Sequence, residues 1–419
     1  MASQSEVEAA PTEVVAATAI RAFYEQHPYP GPVDTLDGQR AESNDRHARI
    51  CEHHLFWPAE PFRESRSILI AGCGTVQAAR HARRWPQARV VGTDISEASL
   101  RATRALKERY GLGNLELRLL PIEESEKLAE TFDQIICTGV VHHLPDPDVG
   151  LEALRKVLAP NGAMHLMVYA PYGRAGVYLL QDYAQLLGLG STQAEIRDFA
   201  AALKFLPKGH PLWPLLRNSP DFQYDAGLAD ALLHPQDRPY SVPEFLAFIA
   251  RCGLSFGRWL RQAPYLPDCG ASHSTPHHAR LVALDAAAQY AAMELYRGTM
   301  LRHSAILYRN DEAGADTAIS FEGAAWQGYI PLRLPETICV DEKLPPGKAG
   351  VLINPLHTDT DIYLPITAAE KRVVEAIDGK RSIAALATIE RLPESGRALF
   401  QRLWQHDQIV FDASRRSAG

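Results

Sequence analysis

The chemistry in this chain is concentrated where short apolar runs stop. Ser67 to Ala71 is rich in Ile and Leu and ends at Gly72-Cys73-Gly74, after which Gln77 to Trp85 has helical spacing. A strand, a glycine turn and a helix in that order bring the backbone close to a ligand, because no Cβ stands in the way. They also present the unpaired N–H groups of a helix start. A second apolar run, Ala88 to Thr93, ends at Asp94, 20 positions after Gly74. A carboxylate at that separation caps the second strand of such a unit and meets a ribose diol. The ligand is therefore expected to carry a ribose. A dinucleotide fingerprint starting at Gly72 would need its third glycine at position 77, where this chain has Gln77, so nicotinamide binding is disfavoured.

These residues must be positioned by a sheet. The spacing predicts strands at 67–71, 88–93, 115–120, 132–138 and 163–169, with helices at 77–85, 97–110 and 148–158 between them. Alternation of apolar strands with helices implies a parallel sheet covered on both faces. Open sheets of this kind bind ligands beyond the carboxyl ends of their strands. Four strand ends therefore converge on one crevice: the glycine turn, Asp94, Pro121-Ile122-Glu123, and Cys137-Thr-Gly-Val-Val-His-His-Leu-Pro-Asp146.

The first turn resembles motif I of the class I S-adenosylmethionine (SAM) dependent methyltransferases, acid-x-Gly-x-Gly-x-Gly. Ile70 stands here for the acid and Val76 for the last glycine. Thr138 to Asp146 resembles the loop after the fourth strand of family members acting on small molecules, and Leu158-Ala-Pro-Asn-Gly-Ala163 resembles the turn before their fifth. The resemblance covers 60–170 closely and 20–310 more loosely. It implies a Rossmann-like sheet of seven strands, the last inserted antiparallel between the fifth and sixth, with SAM as cofactor. It further implies that Gly72, Cys73, Gly74 and Thr75 approach the methionine part and ribose, and that Asp94 accepts from the ribose hydroxyls. Ile95 would pack on adenine, Ile122 and Glu123 would lie at its edge, and Thr138 and Gly139 near the transferred methyl. A plainer role for Asp94 is charge compensation at the start of the helix it opens.

Methyl transfer from a sulfonium needs alignment above all, and a base only if the acceptor arrives protonated. His142 and His143 are candidates for that base, with ordering of their own loop as the alternative. Tyr169, Tyr172 and Arg174 are candidates for acceptor contact. Val14 to Gln26 has helical spacing and runs into a segment with prolines at 28, 30 and 32. This resembles the lid of related enzymes, making Tyr24 and Tyr29 lid candidates, with packing of the helix as the alternative. Cys269, His273, His277 and His278 offer thiolate and imidazole, but their spacing matches no standard zinc site, so no metal is expected.

Beyond the fifth strand, 172–235 is aromatic and broken by prolines, which reads as a helical cap over the substrate. A helix over Ser241 to Gly253, a strand at 254–260, a helix at about 280–298 and a strand at 302–308 complete the sheet. Residues 1–60 are then an N-terminal lid segment whose first 12 residues look disordered, and 61–310 the cofactor-binding domain. The polar break Asn310 to Thr317 leads to a 316–419 accessory domain, α+β and winged-helix-like, with helices near 367–377, 381–389 and 394–405 and a strand at 408–412. That tail has 14 acidic and 12 basic residues, so DNA binding lacks its electrostatic basis and interaction or dimerisation is the expected use. Segments such as Leu233 to Pro243 resemble bacterial methyltransferases with an additional regulatory domain.

The 419 residues carry 43 basic and 50 acidic side chains, net −7, which disfavours general affinity for nucleic acid or anionic membrane. Six cysteines without a C-x-x-C pair favour reduced thiols. With no signal-like start and no bilayer-length apolar run, a cytoplasmic protein is expected. The expected partner is a small-molecule or peptide substrate. A non-catalytic interaction protein that keeps the fold is the rival reading, motivated by Ile70 and Val76.

Overall fold

The computed structural model describes residues 11–37, 45–311 and 319–414. The chain runs α1 (Pro11–Gln26), α2 (Arg46–Phe56), β1 (Ser67–Ala71), α3 (Gln77–Arg84), β2 (Arg89–Asp94), α4 (Glu97–Tyr110), β3 (Leu115–Leu119), β4 (Phe132–Thr138), α5 (Pro147–Lys156) and β5 (Leu158–Tyr169). It continues with α6 (Ala175–Leu186), α7 (Gln193–Leu203), α8 (Trp213–Asn218), α9 (Asp225–Leu232), α10 (Val242–Arg251), β6 (Leu254–Trp259), α11 (His278–Val282), α12 (Ala286–Arg297) and β7 (Arg302–Arg309). The main sheet has the order β3-β2-β1-β4-β5-β7-β6, with β7 antiparallel to both neighbours and the other pairings parallel.

Alternation within β1 shows why the sheet needs two layers of helices. Leu69 and Ala71 join the apolar layer of α5 and α10 residues such as Leu151, Leu154, Phe245 and Phe248. Ile68 and Ile70 join the opposite layer, formed with Ala78, Ala79, Leu100 and Leu106 of α3 and α4. Ile70 is fully buried there, so position 70 serves packing in this chain.

The last part of the chain contains β8 (Ile330–Arg333), β9 (Ile338–Val340), β10 (Gly350–Ile353), β11 (Leu364–Ile366), α13 (Ala368–Glu375), α14 (Ile383–Ala387), α15 (Arg397–Gln405) and β12 (Ile409–Asp412). It forms a three-stranded and a two-stranded sheet around its own core, with Trp326, Ile366, Val373 and Phe400 among its members. Contacts tie it to the rest: Arg258 Nη2 lies 3.1 Å from Asp407 Oδ1, and the Ala413 N–H donates to the Pro58 carbonyl at 2.7 Å.

Some expected boundaries move. Disorder expected through residue 12 gives way to a helix from Pro11, and residues 1–10 lie outside the described residues. The polar break at 310–317 lies outside them from 312 onward. The single helix expected at 280–298 is two, because Asp285 accepts from the Ala288 N–H at 2.9 Å and starts α12 afresh. Of the expected lid segment, α2 instead packs against β12, its Cys51 meeting Leu332 and Val410. No helix among the described residues is long and apolar enough to cross a membrane.

Candidate active site

A cavity of about 850 Å³ lies across the carboxyl ends of the sheet strands, within the range of small-molecule sites. Its first wall is the glycine turn. Gly72 and Gly74 hold φ of +68° and +56°, the left-handed region that glycine adopts without strain. A Cβ on Gly72 would sit 2.5 Å from Val140 Cγ2, and one on Gly74 2.6 Å from the Tyr29 carbonyl oxygen. The turn is thus closely fitted to the chain around it.

Asp94, only 9% exposed, lines the same wall. Its Oδ2 accepts from the Gly74 N–H at 2.8 Å and its Oδ1 from the Ser96 N–H at 2.9 Å. Burial pushes its carboxyl above the usual range, and those N–H donors oppose the push. Each oxygen keeps acceptor capacity beyond its one backbone donor. Ser96 caps α4, so Asp94 joins the turn to the helix start instead of serving the helix alone.

Cys73, Val76, Gln77, Ile95, Ile122, Thr138, Gly139 and His143 also line the cavity. Val76 is 2% exposed and forms part of the wall. Gln77 Nε2 donates to Thr138 Oγ1 at 2.8 Å, joining the start of α3 to the end of β4. Thr75, Glu123, His142 and Tyr172 are not in the lining. Thr75 is buried and its hydroxyl donates to the Pro30 carbonyl at 2.7 Å, so it holds the N-terminal segment. Glu123 is half-buried at the side, and burial pushes its carboxyl up. Tyr172 is 44% exposed on a turn tied back by the Gly173 N–H to the Met300 carbonyl.

The N-terminal segment docks over the turn at both ends. Glu25 accepts from the Glu97 and Ala98 N–H groups at 2.6 and 3.2 Å, giving the start of α4 an added carboxylate. The Tyr24 hydroxyl donates to Asp230 Oδ1 at 3.1 Å and the Tyr29 hydroxyl to Asp221 Oδ1 at 2.9 Å. Both tyrosines line the cavity, and burial raises both phenols, so they remain protonated donors.

A buried polar cluster closes the side beyond β4 and β5. His143 Nδ1 lies 2.7 Å from the Gln236 carbonyl, to which it must donate; its Nε2 then carries the lone pair. His234 Nδ1 accepts from the Gln236 N–H at 3.0 Å, so its Nε2 carries the hydrogen and has no partner. The His143 and His234 rings are 4.0 Å apart. His142 is fully buried with neither ring nitrogen bonded, and burial holds it neutral. The Arg174 guanidinium lies 3.6 Å above the Tyr169 ring and 3.7 Å from Asp237. Burial pushes Asp230 up to about 6.

The nitrogen and oxygen atoms of His143, Asp230 and His234 lie close enough to surround an ion. The tautomer of His234 argues against it, since its Nδ1 lone pair accepts from Gln236 and its Nε2 carries the hydrogen. Cys269, weighed with three histidines as a zinc ligand set in the sequence, is buried against His406 at 3.6 Å, while His278 pairs with Asp268 at 2.7 Å. The thiol and the imidazoles thus face different neighbours. Asp221, Asp230, His234 and Asp237 were missed in the sequence, although charged residues in the otherwise apolar stretch 220–237 were a visible signal.

Residues 69–164 match the family described as a methyltransferase domain. The chain is 31% identical to the uncharacterized protein syc1184_c of Synechococcus sp. over 60% of this chain and 61% of that one. It is 28% identical to the ubiquinone biosynthesis O-methyltransferase of Acinetobacter baylyi over 38% of this chain and 62% of that one. The chain therefore spans about three fifths of the length of these relatives. Among solved structures, PKMT2 from Rickettsia typhi in complex with AdoHcy superposes with a TM-score of 0.57 at 16% identity, covering 88% of this chain and 75% of that one.

Proposed function

We propose that this chain, which carries a class I SAM-dependent methyltransferase domain, transfers the sulfonium methyl group to a small-molecule or peptide acceptor held in the cavity over the strand tips. The observation that carries this reading is Asp94, a desolvated carboxylate fixed by two backbone donors with acceptor capacity left toward the cavity. Gly72, Gly74, Ile95, Ile122, Thr138 and Gly139 line the space around it, a donor and apolar set that fits an adenosyl group and an amino-acid tail. Val76 stands in the wall and leaves that volume open.

When bound, SAM supplies a methyl carbon already activated by the positive sulfur. The protein's part is to orient the acceptor and exclude water. The α1 segment does the second, tied to the body through Glu25 and Thr75 and to the helical insertion through Tyr24 and Tyr29. His143 is the residue able to take a proton from the acceptor, because its Nδ1–H is committed to Gln236 and its Nε2 is left with the lone pair. His142, buried behind it, serves to position it.

Calorimetric titration with SAM and with its demethylated product tests the reading. Saturable binding weakened about a hundredfold or more by Asp94→Ala supports it, given the cost of removing a charged acceptor from two hydroxyl donors. Absence of binding by either nucleoside overturns it and leaves the non-catalytic reading.

A further inference from the structure

The cavity extends well past the region just described. Across the β5–β7 pairing, Tyr169 faces Arg302 and Met167 faces Ser304, and all four line it. Leu260, whose N–H donates to the Ser304 carbonyl at 2.8 Å, brings the next residue, Arg261, to the same place. The far wall is Leu356 to Asp359 from the last part of the chain.

The charges at this end do not balance. Arg261 and Arg302 have no hydrogen-bond or ion-pair partner among the described residues. Burial lowers the Arg261 guanidinium, Arg302 adds to the effect, and Asp407 and Glu336 oppose it. Of the nearby acids, Glu336 makes no ion pair with either arginine, and the other two are already committed. Asp407 lies 3.1 Å from both Arg258 and His357, and Asp359 accepts from Thr299 at 2.9 Å and lies 3.6 Å from Arg297. Two neighbouring cations without an ion-pair partner, one of them partly desolvated, are stabilised when an anion joins them. Guanidinium forks match carboxylate and phosphate oxygens.

We propose that Arg261 and Arg302 form an anion-binding subsite, so that the acceptor carries a carboxylate or phosphate group anchored at the end of the cavity remote from the ribose site. This rests on the methyl-transfer reading for the word acceptor, while the subsite itself rests on the arginine pair. The anchor sits on β7 and just past β6, so it would fix the acceptor's distal end while its reacting atom points back toward His143. The last part of the chain then supplies a wall of the acceptor site.

Calorimetric titration of the full chain with inorganic phosphate and with succinate, each with and without bound S-adenosylhomocysteine, tests the subsite. Saturable binding of either anion, weakened roughly tenfold or more by Arg302→Gln and lost in Arg302→Glu, is expected, with unchanged affinity for S-adenosylhomocysteine. The two anions separate a phosphate from a carboxylate preference. Arg261→Gln should behave alike; if it fails to fold, the exposed Arg302 variants decide. Anion binding that is absent, or equal in wild type and both Arg302 variants, overturns the proposal. Failure of the nucleoside to bind would remove the methyl-transfer reading instead, and the titration without nucleoside still reports on the arginines.

Discussion

The two ends of the cavity are assembled from different kinds of contact. At the proposed ribose end, the hydrogen bond from Gly74 to Asp94 spans 20 positions, one turn–helix–strand segment. At the proposed acceptor end, Tyr24 reaches Asp230 across 206 positions and Tyr29 reaches Asp221 across 192. Backbone geometry builds the first end and leaves little side-chain choice. Side chains from the N-terminal segment, the insertion, β7 and the last part of the chain build the second. A fold can therefore keep its nucleoside end while the acceptor end is rewritten, because the latter depends on residues that the sheet does not dictate.

Substitution in the backbone-built end should show the largest effect. Gly72→Val places a β-branched residue at φ +68° with its Cβ against Val140. A loss of about 2–4 kcal/mol in urea unfolding is expected, together with loss of nucleoside binding. A stable Gly72→Val protein that still binds would show that the turn is less constrained than its geometry implies. The acceptor end should respond in rate instead. His143→Ala is expected to lower turnover roughly a hundred- to ten-thousand-fold while nucleoside affinity stays unchanged. Equal loss in both quantities would remove the base role and blur the division between the two ends.

The same division explains what the amino-acid sequence disclosed. Strands 67–71 and 132–138 and the helix 97–110 were legible to the residue because apolar runs and glycine turns are local signals. The place of Asp94 at the end of the second strand was legible for the same reason. Arg261, Arg302 and Asp230 were not, since nothing near them in the sequence says which cavity they will face. In the last part of the chain, Pro331 and Pro365 both lie in strands. Pro331 is in a two-stranded sheet and Pro365 in the edge strand of a three-stranded one, where a missing N–H is tolerated. Tyr172 was placed by proximity to the fifth strand, and the turn at Gly173 carries it outward.

Titration distinguishes the ends further. Asp230 is pushed from an ordinary 3.8 up to about 6, chiefly by burial. The folded state therefore holds a proton that the unfolded chain releases, so its contribution is complete below about 4 and is lost as pH rises through 6. Asp230→Asn keeps an acceptor for the Tyr24 hydroxyl without the buried charge. It should raise stability by about 1–3 kcal/mol at pH 8 and flatten the pH dependence between 4 and 7. At the ribose end the sign for binding is opposite. The Asp94 carboxylate must be ionised to accept two hydroxyls, so nucleoside affinity should fall as pH drops through its raised range, and a pH-independent affinity would contradict its role.

The smallest effect should come from the link between the ends. Tyr29→Phe removes a hydroxyl that donates to Asp221 at 2.9 Å, but Asp221 keeps the Ser219 hydroxyl at 3.0 Å as a second donor. The carboxylate is therefore not left orphaned, and the loss in nucleoside affinity should be only about 0.5–1.5 kcal/mol. A double-mutant cycle with Asp221→Ala isolates the pair. Coupling of that size, visible in nucleoside affinity although Asp221 belongs to the acceptor end, would show that closing the N-terminal segment transmits between the two. Coupling near zero would mean that Tyr29 holds its place through packing and through its carbonyl over Gly74, and that the ends are energetically separate.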